Sequence, residues 1–277
     1  MPYFCTEDHA KIYYEDKGTG KPIVLIHGWS CSRHHFAKQR KELFKSYRVI
    51  TYDLRGHGDS ERVDHGLTMA QFAKDLKDLV EYLDLEDVSF VGWSMGTHII
   101  WEYVKNYGCD NLSKLCFIDM TPKLLTGEEW KFGLFNEFTH EQNLQTLSSM
   151  CVDWESHAEG FAPAMFAHDF DNPQLLQWAI KEAKKNTPHV MINMWIAMAS
   201  QDYREVLPQI TVPCLITYGA ESFYCKENSE YIHSQIEHSK LVRFENCGHA
   251  LHLEDEETFN KELIEFIGQP TVGFLSN

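Results

Sequence analysis

Hydrophobic positions along the chain fall into two alternating patterns. Short apolar runs bounded by turn residues occur at 23–26 and 46–52, and each is typical of a buried parallel strand. Between 69 and 83 the apolar residues recur every three or four positions, which predicts an amphipathic helix. The remaining predicted elements are a hairpin at 3–6 and 11–17, strands 88–91, 115–118, 214–218 and 240–244, and helices 95–107, 228–236 and 256–267.

This order of elements predicts the fold class, α/β. Apolar strands that alternate with helices pack as a mostly parallel sheet with helices on both faces. Segment 121–208 breaks the alternation, because it lacks a convincing strand and its periodicity is helical. A structureless loop of this length is rare in a compact domain, so we expect a helical cap over the carboxyl edge of the sheet, where ligands bind. The predicted domains are a core, 1–120 and 209–277, and a cap, 121–208.

The charge balance narrows the range of partners. The 277 residues include 25 basic and 41 acidic side chains, which gives a formal net charge of −16. Such a surface repels nucleic acids and anionic membranes, so we expect neither as a partner. The chain has no signal-like start and no apolar stretch of membrane-spanning length. Eight scattered cysteines without a CxxC pair fit a reducing compartment, and we expect a cytoplasmic protein of undetermined oligomeric state.

The 15 histidines raise the question of a metal site. The sequence contains no HExxH motif and no Cys/His spacing typical of metal ligands. The neighbours His34 and His35, and the pair His249 and His252, have no third ligand near them in sequence. We therefore expect no metal and no other cofactor.

The segment 92–96, GWSMG, contains the predicted nucleophile. It fits G-x-S-x-G, a sharp turn between a strand and a helix that presents a serine hydroxyl above a sheet. The apolar run 88–91 precedes it and the helical pattern 95–107 follows it, as this turn requires. Ser94 is therefore the candidate nucleophile, and the N–H of Met95 lies at a helix amino terminus, which favours anions.

A second backbone donor is predicted in the loop His27-Gly28-Trp29, which ends strand 23–26. From this loop the N–H of Trp29 can point to the same place as the N–H of Met95. Two such donors form an oxyanion hole. The side chain of His27 is expected to brace the loop through hydrogen bonds.

The predicted general base is His249. It lies in the segment 246–250, NCGHA, between the last strand and the last helix, on a loop at the carboxyl edge of the sheet. His233 and His238 flank a helix that should face solvent, and His252 is expected to cap or pack. Cys31 and Cys247 are close in sequence to these residues, but neither has a base in motif position.

Four motifs occur in a fixed order: HGW at 27–29, YDLRGHGDS at 52–60, GWSMG at 92–96 and GH at 248–249. In this order they resemble the α/β-hydrolase superfamily, and within it the branch of small bacterial esterases, haloperoxidases and perhydrolases. The resemblance spans nearly the whole chain outside the cap. It implies an eight-stranded sheet, a cap after the sixth strand and a Ser–acid–His triad. Asp53 and Arg55 of the second motif are expected to form a structural salt bridge and turn.

The acid of the triad departs from the commonest family pattern. Most relatives carry G-x-x-D after the seventh strand, whereas this chain reads Gly219-Ala-Glu-Ser222. Asp119, at the end of the sixth strand, occupies the alternative acid position of some relatives and is the favoured candidate. With Asp119 as the acid, Ser222 is expected to support the triad by a hydrogen bond. Glu221 is the alternative acid.

These residues predict a serine hydrolase that cleaves a small carboxylic ester through an acyl-enzyme. Trp93, Trp130 and Trp195 are the candidate substrate-binding residues, because the tryptophans of the cap and the elbow suggest an apolar pocket. A lactonase, an amidase or a C–C bond hydrolase with the same triad is the alternative enzyme. A ligand receptor of low turnover on the same fold is the alternative of another class.

Overall fold

The computed structural model describes residues 2–270 of the chain. Eight strands form one sheet: β1 (Tyr3–Cys5), β2 (Lys11–Lys17), β3 (Pro22–Ile26), β4 (Arg48–Tyr52), β5 (Val88–Trp93), β6 (Leu112–Ile118), β7 (Cys214–Gly219) and β8 (Ser239–Phe244). Their order across the sheet is β1-β2-β4-β3-β5-β6-β7-β8. The pairs β1/β2 and β2/β4 are antiparallel and the others are parallel. The predicted α/β fold with a mostly parallel eight-stranded sheet is confirmed.

Helices cover the two faces of this sheet, and four of them lie between β6 and β7. They are α1 (Ala37–Leu43), α2 (Met69–Tyr82), α3 (Met95–Tyr107), α4 (His140–Val152), α5 (Trp154–Ala164), α6 (Pro173–Lys184), α7 (Pro188–Ala199), α8 (Lys226–Gln235), α9 (Leu251–Glu254) and α10 (Glu256–Gly268). In the core α2 packs on α3, and α1 packs on α10. The sequence pattern does not predict α1, because only Gln39 and Leu43 of this short charged helix are buried.

Strand β6 begins three residues before its predicted start. Ser113 and Lys114 interrupt the apolar run there, yet both side chains are buried. The ammonium group of Lys114 donates hydrogen bonds to the carbonyls of Phe266 and Ile267 at 2.5 and 3.0 Å. A cation near the last carbonyls of a helix is stabilised by the helix dipole, so this polar residue belongs inside the fold.

The segment between β6 and β7 is helical, as predicted, and supplies none of the eight strands of the sheet. Within it α5 packs on α6, and α4 packs on α7. Hydrogen bonds tie it to the loops at the carboxyl edge of the sheet: the indole N–H of Trp29 donates to the carbonyl of Met191 at 2.9 Å, and the amide of Asn186 to that of Ser30 at 2.7 Å. The division into core and cap domains stays a prediction, and its limits at 1 and 277 lie outside the described residues.

Three ion pairs shape the turn that follows β4. Arg55 forms a two-pronged pair with Asp75 at 2.6 Å and a second pair with Asp8 at 2.8 Å. Asp53 pairs with the guanidinium group of Arg33 and accepts its backbone N–H at 2.8 Å. Asp53 and Arg55 are therefore structural, as expected, but each forms its salt bridges with partners from other elements and not with the other.

We expect Arg55→Met to lower the free energy of unfolding by about 3–5 kcal/mol, because it leaves Asp75 buried without its counter-charge. Arg48→Met is the matched control, since Arg48 pairs with Asp16 where both side chains are partly exposed, and it should cost at most about 1 kcal/mol. Denaturant unfolding followed by circular dichroism measures both values. Equal losses in the two variants would show that the Arg55 pair is no more important than a surface pair.

Candidate active site

The turn between β5 and α3 holds Ser94 in a strained backbone conformation, with φ 55° and ψ −123°. Non-glycine residues with positive φ are uncommon and cluster at functional sites. The turn requires glycines on both sides of Ser94, because the neighbouring backbone leaves no space for a Cβ there. A Cβ on Gly96 would lie 2.1 Å from the carbonyl oxygen of Ile26, and a Cβ on Gly92 would lie 2.6 Å from the backbone of Gly96. The G-x-S-x-G pattern is thus a steric requirement of this junction.

The loop after β3 approaches the same serine. A Cβ on Gly28 would lie 3.0 Å from the Cβ and 3.6 Å from the Oγ of Ser94, so only a small residue leaves the hydroxyl open. Trp29 follows Gly28 directly, and Met95 is the first residue of α3. The N–H groups of a helix's first turn have no acceptor within the helix, so the N–H of Met95 is available to a ligand. Met95 thus follows Ser94 directly, Trp29 follows the glycine that approaches it, and their role as an oxyanion hole stays a prediction.

The imidazole of His27 braces this loop, as the sequence predicts. Its Nδ1–H donates to the carbonyl of Gly28 at 2.8 Å, and its Nε2 accepts the N–H of Leu54 at 3.0 Å. Complete burial lowers the pKa of His27 to about 4, so the ring is neutral at pH 7. One donor and one acceptor fix its tautomer and with it the course of the loop.

Asp119 and His249 form a buried hydrogen-bonded pair. The Nδ1 of His249 lies 2.7 Å from Oδ2 of Asp119, and each residue is only 2% exposed. The hydroxyl of Ser222 donates to the same carboxylate oxygen at 2.5 Å, and the N–H of Gly219 donates to the other at 3.2 Å. This geometry orients the imidazole and leaves its Nε2 as the acceptor of a proton.

The sheet register brings this pair next to Ser94. Trp93, the last residue of β5, pairs with Ile118, the last residue of β6. The N–H of Ser94 donates to the carbonyl of Ile118 at 3.1 Å. Ser94 and Asp119 are therefore the first residues after two neighbouring strands. Both lie on the carboxyl edge of the sheet, where His249 also lies.

Glu221, the alternative acid, takes no part in this cluster. Its side chain is exposed, and its backbone N–H donates to the carbonyl of Cys247 at 2.9 Å. Ser222 occupies the position next to Asp119, and its oxygen also accepts the N–H of Tyr224 at 3.1 Å. The structure thus brings Asp119 to His249, and Ser222 supports the carboxylate from the usual acid position.

The three candidate substrate-binding tryptophans occupy different surroundings. Trp93 is fully buried, and its indole N–H donates to the backbone carbonyl of His249 at 2.9 Å. Trp130 is also buried, and its indole N–H donates to the carbonyl of Lys123 while its ring packs on Tyr231. Substrate contact by these two residues stays a prediction.

Trp195, by contrast, lines an apolar cavity of about 330 Å³ within the helical segment. Phe138 and Phe161 line the same cavity. The ring of Trp29 lies 5.0 Å from that of Trp195 and 5.1 Å from that of Phe161, measured between centroids. The cavity therefore adjoins the loop that carries a predicted oxyanion donor.

Two contacts of the loop that carries His249 are not predicted from the sequence. The ring of Phe223 packs on its imidazole, with centroids 4.4 Å apart, and Glu254 binds the backbone N–H of Gly248 at 2.8 Å. Phe223 follows Ser222 in the loop after β7. Its contact with His249 depends on the course of this loop, which the sequence pattern does not predict. Glu254 lies five residues after His249, on a helix too short to show periodicity.

The nearby cysteines are not activated. Burial raises the pKa of Cys31 well above its ordinary value and raises that of Cys247 to about 12, so both remain thiols at pH 7. Within residues 2–270, no cluster of three His, Cys, Asp or Glu side chains is arranged to hold a metal ion. Of the helices described, none combines the length and apolar composition that a bilayer span requires.

Comparison with known proteins identifies the family. The model of the alpha/beta hydrolase family matches residues 23–262. The chain is 31% identical to an esterase (EaEST) from Exiguobacterium antarcticum, with a TM-score of 0.91 over 96% of this chain and 99% of that one. A bromoperoxidase from Bacillus anthracis is 30% identical, with a TM-score of 0.89 over 95% and 97% of the two chains.

A curated relative extends the likeness along the sequence. It is the non-heme chloroperoxidase CPO-A1 of Kitasatospora aureofaciens, 28% identical over 97% of this chain and 100% of its own length. The resemblance to esterases and haloperoxidases predicted from the four motifs is thus confirmed. Because the family model covers most of its length, the chain belongs to the alpha/beta hydrolase family.

Proposed function

We propose that the protein is a serine hydrolase that cleaves a small carboxylic ester. The observation that carries this proposal is the buried Asp119–His249 hydrogen bond beside a strained, partly exposed Ser94. A nucleophile, an oriented base and an orienting acid on one sheet edge are the groups that acyl transfer to water requires. Membership of a hydrolase family with an esterase among its similar structures supports the same conclusion.

In the proposed mechanism Ser94 Oγ attacks the ester carbonyl while Nε2 of His249 takes its proton. Asp119 stabilises the imidazolium that forms, and the N–H groups of Trp29 and Met95 bind the negative oxygen. His249 then gives the proton to the leaving alcohol, which leaves an acyl group on Ser94. A water molecule, deprotonated by His249, then attacks the acyl-enzyme, and His249 returns the proton to Ser94 Oγ as the bond to the acyl group breaks and the acid leaves.

The cavity beside Trp29 supports a small apolar group as part of the substrate. Its volume of about 330 Å³ is at the lower end for ligand pockets, and its walls are mostly aromatic and aliphatic. Trp195 is the candidate tryptophan that lines it. The net charge of −16 does not oppose a neutral ester, because such a substrate experiences no long-range field.

A fluorophosphonate probe tests this function directly. We expect the wild-type protein to react with the probe at one site, and Ser94→Ala to remain unlabelled, because the probe captures a serine activated by its base. Gel fluorescence and peptide mapping identify the labelled residue. If the wild type stays unlabelled while a reference esterase reacts, the protein is not an active serine hydrolase. A panel of p-nitrophenyl esters, lactones and amides then defines the bond that is cleaved.

The identity of the acid is tested by two variants. Asp119→Asn should lower turnover on the order of 10⁴-fold, because an asparagine neither holds the productive tautomer of His249 nor stabilises its cation. Glu221→Gln should turn over close to the wild type, since this exposed side chain is not part of the cluster. Steady-state hydrolysis of p-nitrophenyl acetate measures both. Loss of activity in Glu221→Gln with Asp119→Asn nearly intact would reverse the assignment.

A further inference from the structure

The backbone on both sides of His249 is attached to the helical segment that covers the sheet edge. The N–H of Ala250 donates to the carbonyl of Met165 at 2.7 Å. On the other side, a Cβ on Gly248 would lie 2.6 Å from the backbone carbon of Phe166 and 2.7 Å from the nitrogen of Ala167. The chain at 165–167, just after α5, therefore packs directly on the loop that carries the base.

Glu254 joins these two stretches of backbone. Its Oε1 accepts the N–H of Gly248 at 2.8 Å, and its Oε2 accepts the N–H of Ala167 at 2.8 Å. Each N–H thus bonds to a separate oxygen of one carboxylate. An ionised carboxylate leaves both oxygens open to these donors, whereas a protonated acid carries its own proton on one of them. Hydrogen bonds to a charged acceptor are stronger than neutral ones.

We propose that Glu254 is a positioning residue for the reaction, which holds His249 in place by tying Gly248 to the helical segment at Ala167. The inference rests on the proposed function, because it concerns the base of that mechanism. Glu254 reaches no reacting atom in it. Its effect passes through one peptide bond to His249, whose ring must meet both Asp119 and Ser94.

The surroundings of Glu254 make this tie sensitive to pH. Burial, reinforced by the negative charges of Asp119 and Glu221, raises the pKa of Glu254 to about 7 in spite of its two N–H donors. The other ionisable groups nearby are the thiol of Cys247 and Asp255, which caps α10 through the N–H of Thr258. Beyond Ala167, His168 and Asp169 pair with each other in solvent. A proton on Glu254 occupies one of the two acceptor oxygens, so the tie weakens as pH falls through about 7.

The test compares Glu254→Gln with the wild type by the rate of fluorophosphonate labelling between pH 5.5 and 8.5. Gln keeps the shape but offers one carbonyl oxygen, and its NH₂ group faces the second N–H. We expect labelling about 10-fold slower at pH 8, the value of one hydrogen bond to a charged group. The ratio of the wild-type rate to the variant rate should rise with pH through about 7, because Glu254 gains its full charge, and with it the tie, only above that pH. A purely structural role predicts a constant ratio.

Glu257→Gln is the matched control, because it removes the same charge from an exposed side chain on α10. Its labelling rate should follow that of the wild type at every pH. Amide hydrogen exchange supplies a readout that needs no activity: peptides containing Gly248 and Ala167 should exchange faster in Glu254→Gln and unchanged in Glu257→Gln.

The outcomes separate this inference from the proposed function. An unlabelled wild type contradicts the proposed function, and faster exchange at Gly248 and Ala167 in Glu254→Gln still supports the tie. A labelled wild type with a flat rate ratio overturns the positioning role alone. Unchanged exchange in Glu254→Gln also overturns it.

Discussion

The close approach of two backbone turns at the carboxyl edge of the sheet is the constraint on which the site depends. The turn at Ser94 and the loop after β3 touch: a Cβ on Gly96 would lie 2.1 Å from the carbonyl oxygen of Ile26, and a Cβ on Gly28 would lie 3.0 Å from the Cβ of Ser94. This contact exists because β3 and β5 are adjacent parallel strands that end at the same level. It places Gly28 and the start of α3 beside the hydroxyl of Ser94, where we propose that backbone N–H groups bind an oxyanion.

The order of the next strands supplies the remaining groups. β5, β6, β7 and β8 are parallel neighbours, so the loops that follow them open on one edge of the sheet. Asp119 follows β6, Ser222 follows β7 and His249 follows β8, and their side chains meet in one hydrogen-bonded group. The carboxylate of Asp119 and the hydroxyl of Ser222 act together. The hydroxyl donates to the same carboxylate oxygen that faces His249, and it thereby fixes the direction of the carboxylate.

Most of the strands and the residues of this group could be predicted because each rests on a local rule. Apolar runs mark the strands, a strained turn demands glycines around Ser94, and strand ends place Asp119 and His249 on one edge. Trp93 and Trp130 show where such rules stop, since a tryptophan in a motif or an insertion gives no sign of what its indole N–H will bind. Glu254 could not be predicted either, because its two partners are backbone N–H groups brought together only by tertiary packing.

The central claim is that Ser94 carries the acyl group during turnover. Its most direct measurement is mass spectrometry of the protein quenched in acid while it hydrolyses p-nitrophenyl butyrate, followed by peptide mapping. We expect the peptide containing Ser94 to gain the mass of a butyryl group and the same peptide of Ser94→Ala to gain none. Hydrolysis with the acyl group on another residue, such as Cys31 or Cys247, or the same adduct in Ser94→Ala, would contradict it.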